Sequence, residues 1–491
     1  MSLARHTTYN LVGTVLPIVL ALVTVPIYLK QIGAERYGVL SLAWIILGYF
    51  GVFDLGLGRA VTQRIAASRG DTAEARARII GTALVANLVI GLAGAAILLP
   101  AVYYVFQGGI GMSASLRSEA YGSAPILALA LPISTTFGLL NGALIGREKF
   151  ASVNAIGVVS SVLFQIVPLS AAIYLGNDLS YLLLASILAR GVGTVILARE
   201  CQKEFGVSAF VKFDRAYLSQ LIHYGGWVTV TGLISPLLVV GDRFFIGKAL
   251  GAAAVAVYSL PTQITSRLSP LAGALGNAVF PRLAAADMEE ADRLSELGAR
   301  VLYACMTAPV AFGIAVMAPA MELWLGSELG SPAGPVGRVM LVAAWINVFG
   351  QVPFWRLHAQ GRPRAVALAH LAEIVVYIPL LLLLVAKLGL VGAALASLGR
   401  MAIDAALLRK MANCRLVGFA SFAGALSLFA AEEIAIRMLE PGLPGSLMIA
   451  ALAGVLSARL SWFVLPTEGR EAVIHLRVRF LRRLVGKVGA A

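Results

Sequence analysis

The amino-acid sequence predicts an all-α polytopic membrane protein with about fourteen transmembrane helices: two parallel six-helix repeat lobes followed by two C-terminal helices. Three observations predict this fold class. Apolar residues make up 59% of the 491-residue chain and charged residues only 13%, well below the roughly 25% of a soluble domain. Apolar runs long enough to cross a ~30 Å hydrocarbon layer recur along the whole chain. One hairpin of such runs also occurs twice.

Fourteen apolar runs are long enough to cross a membrane as helices. We refer to them as spans 1 to 14, and they fall near residues 9–29, 39–58, 79–105, 121–146, 151–176, 180–198, 221–248, 253–280, 299–322, 335–357, 365–386, 389–411, 416–439 and 443–466. The longest connections between them, about 59–78, 199–220 and 281–300, are predicted to be connectors or surface helices. None is long enough for a soluble domain.

The duplicated hairpin begins at Gly33. One constant shift along the chain aligns Gly33 with Gly251 and Gly58 with Gly276, and gives sixteen identities over positions 12–67. A second pair of landmarks, at an offset of its own, agrees with the duplication: Arg190 in span 6 matches Arg400 in span 12. Because an even number of spans separates the copies, the repeat is parallel. The predicted units are an N-lobe at 1–210, a C-lobe at 211–415, two further spans at 416–469 and a basic tail at 470–491.

Lysine and arginine in the loops predict the orientation. Twenty-seven basic residues fall on the side that holds both termini, and six fall on the other side: Lys30, Arg36, Arg117, Lys248, Lys387 and Arg437. Both termini are therefore predicted to be cytoplasmic, which an even number of spans satisfies.

The composition also excludes several classes of function. The net charge of +14 lies in breaks between apolar runs, as membrane loops require, so we expect no nucleic-acid partner. Three scattered cysteines and five isolated histidines provide neither a disulfide framework nor metal-ligand spacing. No GxxxxGK[ST], HExxH or GxSxG motif occurs. We therefore expect no enzyme, with no catalytic residue, metal or cofactor.

Charged residues inside the spans are the candidate substrate-binding residues, because each costs a few kcal/mol unless it is paired or hydrated. Several lie on polar stripes at helical spacing, which face protein or water. The candidates are Arg190 in span 6, Asp242 and Arg243 in span 7, Gln263 and Arg267 in span 8, and Arg400 in span 12. Two alternatives remain open. The small residues of these stripes also suit dry helix packing, and Arg400 with Asp404, or Arg243 with Asp242, would form simple ion pairs.

Arginine suits a substrate that carries phosphate, because its planar guanidinium binds phosphate oxygens bidentately and keeps its charge. Four aromatic residues, Tyr49, Phe53, Trp345 and Trp355, would stack on sugar faces, or serve as core or interface residues. Glu432 and Glu433, near one end of span 13, are predicted to reach the membrane interface.

The motifs GAERYG, SLAWIILGYFGVFDLGLGRA and VVGDRFFIGKALGAAAVAVYSLP resemble the polysaccharide-transport branch of the multidrug/oligosaccharidyl-lipid/polysaccharide exporters. Members of this branch are flippases of O-antigen and capsule repeat units. The resemblance implies a flippase in the bacterial cytoplasmic (inner) membrane that moves lipid-linked oligosaccharides, on undecaprenyl diphosphate, by alternating access for surface polysaccharide synthesis. It implies lipid-linked oligosaccharide and membrane lipids as partners, together with polysaccharide polymerase and export components.

Three other functions remain as alternatives. A cation-coupled multidrug antiporter of the same superfamily is disfavoured by the scarcity of acidic residues in the N-lobe spans, where Asp54 stands alone. A membrane glycosyltransferase, ligase or polymerase generally needs an extended outer loop, and the outer connections here are short. A non-transporting scaffold of a cell-envelope complex is the third alternative.

Overall fold

The computed structural model describes residues 3–49, 56–68, 72–206, 213–215, 217–219, 241–465 and 470–471. In these residues the chain is helical throughout, apart from turns and short loops. The helices are α1 (Leu3–Tyr49), α2 (Leu57–Ala67), α3 (Ala73–Tyr104), α4 (Ala114–Gly146), α5 (Phe150–Tyr174), α6 (Leu179–Phe205), α7 (241–250), α8 (Ala252–Thr265), α9 (Ser269–Ala285), α10 (Met288–Leu325), α11 (Ser327–Ala359), α12 (Pro363–Ala412), α13 (Phe419–Leu439) and α14 (Leu443–Val464).

Nine helices in the described part of the chain are long and apolar enough to cross a membrane. They are α3 to α6 and α10 to α14. The predicted all-α membrane fold is thus confirmed. Span 7 lies largely outside the described residues, with only 241–248 of it in α7, and Phe53 and Asp54 also lie outside them.

Two of the helices are hairpins that reverse at a single glycine. Gly33 in α1 has φ 76° and Gly389 in α12 has φ 59°, which is left-handed backbone that favours glycine. In a straight helix Tyr28 and Trp44 would lie ~24 Å apart, whereas their ring centroids are 5.4 Å apart. Each hairpin therefore accounts for two predicted spans: α1 contains span 1 and the start of span 2, and α12 contains spans 11 and 12.

Helical structure extends into two of the predicted connections. In the stretch 59–78, α2 ends at Ala67 and α3 begins at Ala73, where the side chain of Thr72 accepts a hydrogen bond from the amide of Ala75. This N-cap satisfies one of the amide groups that a helix start leaves without an intrahelical partner. In the stretch 281–300, only the short break between Ala285 and Met288 is non-helical.

The chain divides into two compact units, Met1–Ala256 and Val257–Ala491. Equivalent helices make equivalent contacts in each unit: α4 packs on α2, α3 and α6, and α11 packs on α9, α10 and α12. Close approaches at glycines also recur. Gly142 of α4 meets the backbone of Gly58, and Gly276 of α9 meets the ring of Trp355 in α11. In the second unit, α13 and α14 pack against α10. The lobe boundary predicted at 210/211 stays a prediction.

Candidate functional site

The six candidate residues lie in both compact units. Arg190, Asp242 and Arg243 belong to the first unit, and Gln263, Arg267 and Arg400 belong to the second. Two of them, Arg190 on α6 and Arg400 on α12, occupy equivalent positions of the repeat. Their surroundings can therefore be compared directly.

Arg190 lies between two aromatic rings from neighbouring helices. Its guanidinium carbon is 5.0 Å from the centroid of Phe137 on α4 and 5.3 Å from that of Phe164 on α5. Among the described residues its Nε is buried without a hydrogen-bond partner, and no carboxylate lies within ion-pairing distance. Stacking of this kind contributes roughly 0.5–2 kcal/mol. The rings supply no countercharge, so among the described residues the positive charge of Arg190 is uncompensated.

The surroundings of Arg190 are partly polar. It lines a narrow crevice of about 150 Å³ together with Ser134 and Ser186, and with Leu47, Ala130, Ile133, Phe164 and Ile187. The Ser186 hydroxyl accepts a hydrogen bond from Trp44 Nε1 at 3.0 Å, while the buried Ser134 hydroxyl has no partner in the described part of the chain. In this conformation the crevice has no room for a water-sized group, whereas typical ligand pockets start at about 300 Å³.

A glycine keeps α5 and α6 in close contact beside this arginine. A Cβ added to Gly193, nearly one helical turn after Arg190, would lie 2.6 Å from Ser160 Oγ and 3.3 Å from Phe137 Cε2. Gly193 therefore brings the backbone of α6 against the residues that surround the guanidinium. This is the role that small residues commonly play between membrane helices.

Arg400 has an aromatic neighbour like that of Arg190 but a very different electrostatic environment. Its guanidinium carbon lies 5.5 Å from the ring of Tyr377, and its Nη1 is 3.5 Å from Oε2 of Glu373, whose side chain is 1% exposed. The sequence offered Asp404, one turn later, as a partner for Arg400. The structure pairs Arg400 with Glu373 instead, because α12 folds back at Gly389.

Asp404 contacts a different residue, His370, at 3.7 Å. Ligand atoms of His370, Glu373 and Asp404 lie within 4.8 Å of one another, a grouping suited to a cation. From the sequence we expect no metal ligands, and His370 was not among the candidate residues. The signal was present, since His370 and Glu373 are spaced i, i+3 on one helical face, but Asp404 joins them only through the hairpin. Arg400 already compensates part of the negative charge of this group.

The repeat allows the residues around the two arginines to be compared position by position. The offset that relates Arg190 to Arg400 places Thr194 opposite Asp404. The first unit thus has a hydroxyl group where the second has the carboxylate of Asp404. Duplication preserved the stacked arginine in both units, whereas the acidic partners are found only beside Arg400 among the described residues.

Asp242 and Arg243 form an ion pair within α7. Arg243 Nη1 lies 3.2 Å from Asp242 Oδ1. Arg243 is 7% exposed and Asp242 is 5% exposed. This is the simple pairing that the sequence left open. A contact of either residue with substrate stays a prediction.

Gln263 and Arg267 lie where span 8 is interrupted. Helix α8 ends at Thr265, a 3₁₀ turn follows at Ser266–Leu268, and α9 begins at Ser269. Pro270 explains the break, because it has no amide hydrogen to donate to the carbonyl of Ser266. Both Gln263 and Arg267 are exposed. The sequence placed Arg267 near the middle of a continuous span, and whether it lines a cavity stays a prediction.

The tryptophans considered for sugar stacking are core residues in the structure. Trp345 is fully buried, donates a hydrogen bond to Thr307 at 3.1 Å and packs against Phe349 and Phe429. Trp355 is 7% exposed, and its ring packs against Gly276. The alternative of a packing role is thus the correct one for both. Phe53 and the side chain of Tyr49 lie outside the described residues.

Comparison with solved structures finds the same fold in two groups of membrane proteins. The structure of "Lipid II flippase MurJ, inward closed conformation" aligns with a TM-score of 0.73 at 12% identity, over 94% of this chain and 99% of that one. An inward-facing multidrug resistance MATE family transporter of the MOP superfamily aligns with a TM-score of 0.68 at 18% identity, over 84% and 94% respectively. These TM-scores establish a shared fold.

Sequence comparison provides the family. A Shigella flexneri protein named "Putative O-antigen transporter" is 30% identical over 414 residues, which cover 83% of this chain and 97% of that protein. The "Uncharacterized membrane protein EpsK" of Bacillus subtilis (strain 168) is 22% identical over 440 residues, covering 84% of this chain and 83% of that protein. Residues 3–286 match the family described as "Polysaccharide biosynthesis protein". The chain belongs to this polysaccharide biosynthesis family of multi-pass membrane proteins.

Proposed function

We propose that this protein is a flippase that moves lipid-linked oligosaccharide repeat units, on undecaprenyl diphosphate, to the outer leaflet of the bacterial cytoplasmic membrane for surface polysaccharide synthesis. The family and the O-antigen transporter relative support a polysaccharide precursor as substrate. In the proposed topology both termini are cytoplasmic, and lobes 1–210 and 211–415 alternate access to a central cavity. Residues 416–469 add two spans and residues 470–491 a basic tail.

The observation that carries the proposal is that the charge of Arg190 has no acidic partner in the described part of the chain. A lone cation in a membrane span costs about 2.5–3.5 kcal/mol at the helix centre, and its contacts with Phe137 and Phe164 offset only part of this. A diphosphate supplies the missing negative charge and accepts bidentate hydrogen bonds from a guanidinium. The 150 Å³ crevice beside Arg190 admits no sugar, so the proposal places the diphosphate at Arg190 and the sugars in the wider cavity of an opened state.

The other candidate arginines take secondary roles in the proposal. Arg243 and Arg400 already have carboxylate partners at 3.2 and 3.5 Å. They therefore contribute a positive electrostatic potential rather than a direct hydrogen bond to the phosphate. Arg267, with Gln263, is exposed at the break in span 8 and would meet the substrate there. A cation-coupled drug antiporter is less well supported, because the positive charge of Arg190 repels a cationic drug.

The test compares transport by three variants in cells that lack the native protein. Arg190→Gln should reduce delivery of repeat units to the surface roughly tenfold or more, since a hydrogen bond to a charged group contributes about 1.5–3 kcal/mol. Arg190→Lys should retain part of the activity because the charge survives. Arg199→Gln, on the same helix but exposed, is the matched control and should transport normally.

The measurements are surface polysaccharide, lipid-linked repeat units on the cytoplasmic leaflet and membrane abundance of each variant. Loss of the whole protein should leave repeat units on the cytoplasmic leaflet. Normal surface polysaccharide with raised drug sensitivity in the deletion strain would favour the antiporter instead. Full transport by Arg190→Gln at normal abundance would remove Arg190 from the mechanism.

A further inference from the structure

A groove on the surface of α14 combines apolar and cationic side chains. In the sequence it lies far from the candidate arginines of the functional site. It has a volume of about 560 Å³ and is lined by Val455, Ala458, Arg459, Trp462 and Phe463. All five lining residues are exposed. The groove is therefore an open surface feature of this helix.

The side of α14 that carries the groove is suited to contact with lipid. Met448, Leu452, Val455 and Phe463 are 74%, 63%, 59% and 76% exposed, and α14 is apolar and long enough to cross a membrane. Aliphatic and aromatic side chains at this exposure on a membrane-crossing helix are solvated by acyl chains. The groove thus opens toward the bilayer.

Arg459 is a cation on this apolar surface. It lies five residues before the end of α14 at Val464, or ~7.5 Å along the helix axis, within reach of the headgroup region for a long side chain. No carboxylate in the described part of the chain is within ion-pairing distance of it. Within the described residues, the charge of Arg459 is therefore left to water or to an anion from outside the protein.

A second guanidinium is fixed beside the groove. Arg470 donates hydrogen bonds from Nε to the carbonyl of Leu465 at 3.0 Å and from Nη2 to that of Phe463 at 3.1 Å. These carbonyls belong to the end of α14, where helices lack internal donors. The same guanidinium lies 6.0 Å from the centroid of Trp462, so one ring of the groove is held against a cation.

The charge of this part of the chain favours an anionic ligand. From Arg459 to residue 491 the sequence has seven lysines and arginines and two glutamates. A phosphodiester accepts hydrogen bonds from arginine, and an attached acyl chain complements the apolar residues of the groove. A zwitterionic phospholipid has the same phosphate and chains, but its ammonium group is repelled by this positive field.

We propose that the groove is a binding site for an anionic phospholipid of the bilayer. Arg459 and Arg470 attract its headgroup, Trp462 and Phe463 lie near the level of the glycerol backbone, and Val455 contacts its acyl chains. The occupant is a bulk membrane lipid and not the transported substrate. The proposal does not depend on the transport function, nor on which face of the membrane is cytoplasmic.

The test uses the full-length protein in phosphatidylcholine vesicles, with a fixed small fraction of either phosphatidylglycerol or phosphatidylcholine carrying brominated acyl chains. Bromine quenches tryptophan fluorescence at contact, and the Trp462 signal is obtained as the difference from a Trp462→Phe variant. Brominated phosphatidylglycerol should quench Trp462 with roughly fivefold higher apparent affinity than brominated phosphatidylcholine, the preference expected for one arginine near an anionic lipid.

Arg459→Gln should abolish most of this preference, and Arg459→Lys should keep part of it. The matched control is Arg437→Gln, which removes an exposed arginine from the neighbouring helix α13 where Glu433 already pairs with it, and which should keep the full preference. Equal quenching by the two brominated lipids in the native protein would overturn the proposal. An undiminished preference in Arg459→Gln would overturn it as well.

Discussion

At the scale of single residues, two equivalent arginines have opposite electrostatic surroundings. Arg190 is stacked on Phe137 and Phe164 without an acidic partner among the described residues, whereas Arg400 is stacked on Tyr377 and paired with Glu373. A compensated arginine can be a structural element, since its charge is already balanced. An arginine without a countercharge is a cost to the fold, and the proposed diphosphate at Arg190 would offset that cost.

The acidic group around Arg400 leads to a prediction about stability. Removal of one partner from a buried ion pair costs about 3–5 kcal/mol. Arg400→Gln should therefore destabilise strongly, since it leaves both Glu373 and Asp404 without a cation. Glu373→Gln should destabilise less, because Asp404 is still available to Arg400. The measurement is the midpoint temperature of unfolding of each purified variant in detergent.

The double variant Glu373→Gln with Arg400→Gln provides the control. It removes one charge of each sign and should recover much of the stability lost in Arg400→Gln. If the losses of the two single variants simply add in the double variant, the two side chains are not coupled. In that case the contact between Glu373 and Arg400 contributes nothing measurable.

At the scale of helices, close backbone contacts at glycines determine how α2 meets α4. A Cβ on Gly142 would lie 2.4 Å from the carbonyl oxygen of Gly58, and one on Gly146 would lie 2.8 Å from that of Thr62. Thr62 Oγ1 lies 2.9 Å from both the Gly58 and the Gly142 carbonyl oxygens. Backbone atoms cannot rotate away as side chains do, so this interface admits no larger residue at position 142.

We therefore expect Gly142→Ala to destabilise the protein by roughly 1–3 kcal/mol, the usual cost of overpacking. The matched control is Gly157→Ala in α5, where an added Cβ meets nothing within 4 Å. Alanine there should be neutral or slightly stabilising, since it favours helix over glycine. Thermal unfolding in detergent measures both. Equal stability of the two variants would contradict the close α2–α4 contact.

At the scale of the whole molecule, duplication explains why both units use the same helix contacts. The equivalent glycines Gly33 and Gly251 both have positive φ, at 76° and 90°, and α4 and α11 make the main helix contacts of their own units. The parallel repeat predicted from the sequence gives both copies the same predicted membrane topology. The excess of basic residues predicts which side this is.

Reporter fusions test the topology directly. Fusions after residues 70, 210, 290 and 480 should all report a cytoplasmic location, because twenty-seven basic residues of the predicted loops and termini fall on that side and six on the other. Fusions after residues 110 and 176, in the predicted outer connections, are the controls and should report the opposite side. An outer location for any of the first three fusions would contradict the assignment of the spans to two equivalent lobes.

The sequence by itself determined the fold class and the repeat. Apolar runs of about twenty residues require helices in a bilayer, and glycines and charged residues that align at one constant offset reveal the duplication. These are local or periodic signals, which composition and spacing carry without knowledge of contacts. The same signals selected Arg190 and Arg400 as charges that need an explanation.

Only the tertiary structure decided which partners these charges have. Glu373 and Arg400 lie on opposite arms of α12 and meet because this helix reverses at Gly389; sequence spacing suggested Asp404 instead. Adjacent Glu432 and Glu433 were both predicted at the membrane interface, yet Glu433 pairs with Arg338 and Glu432 is 4% exposed. The physical reason is the same in each case. A helix side chain interacts with whatever the neighbouring helices place beside it, and helix packing is a property of the folded chain rather than of its local sequence.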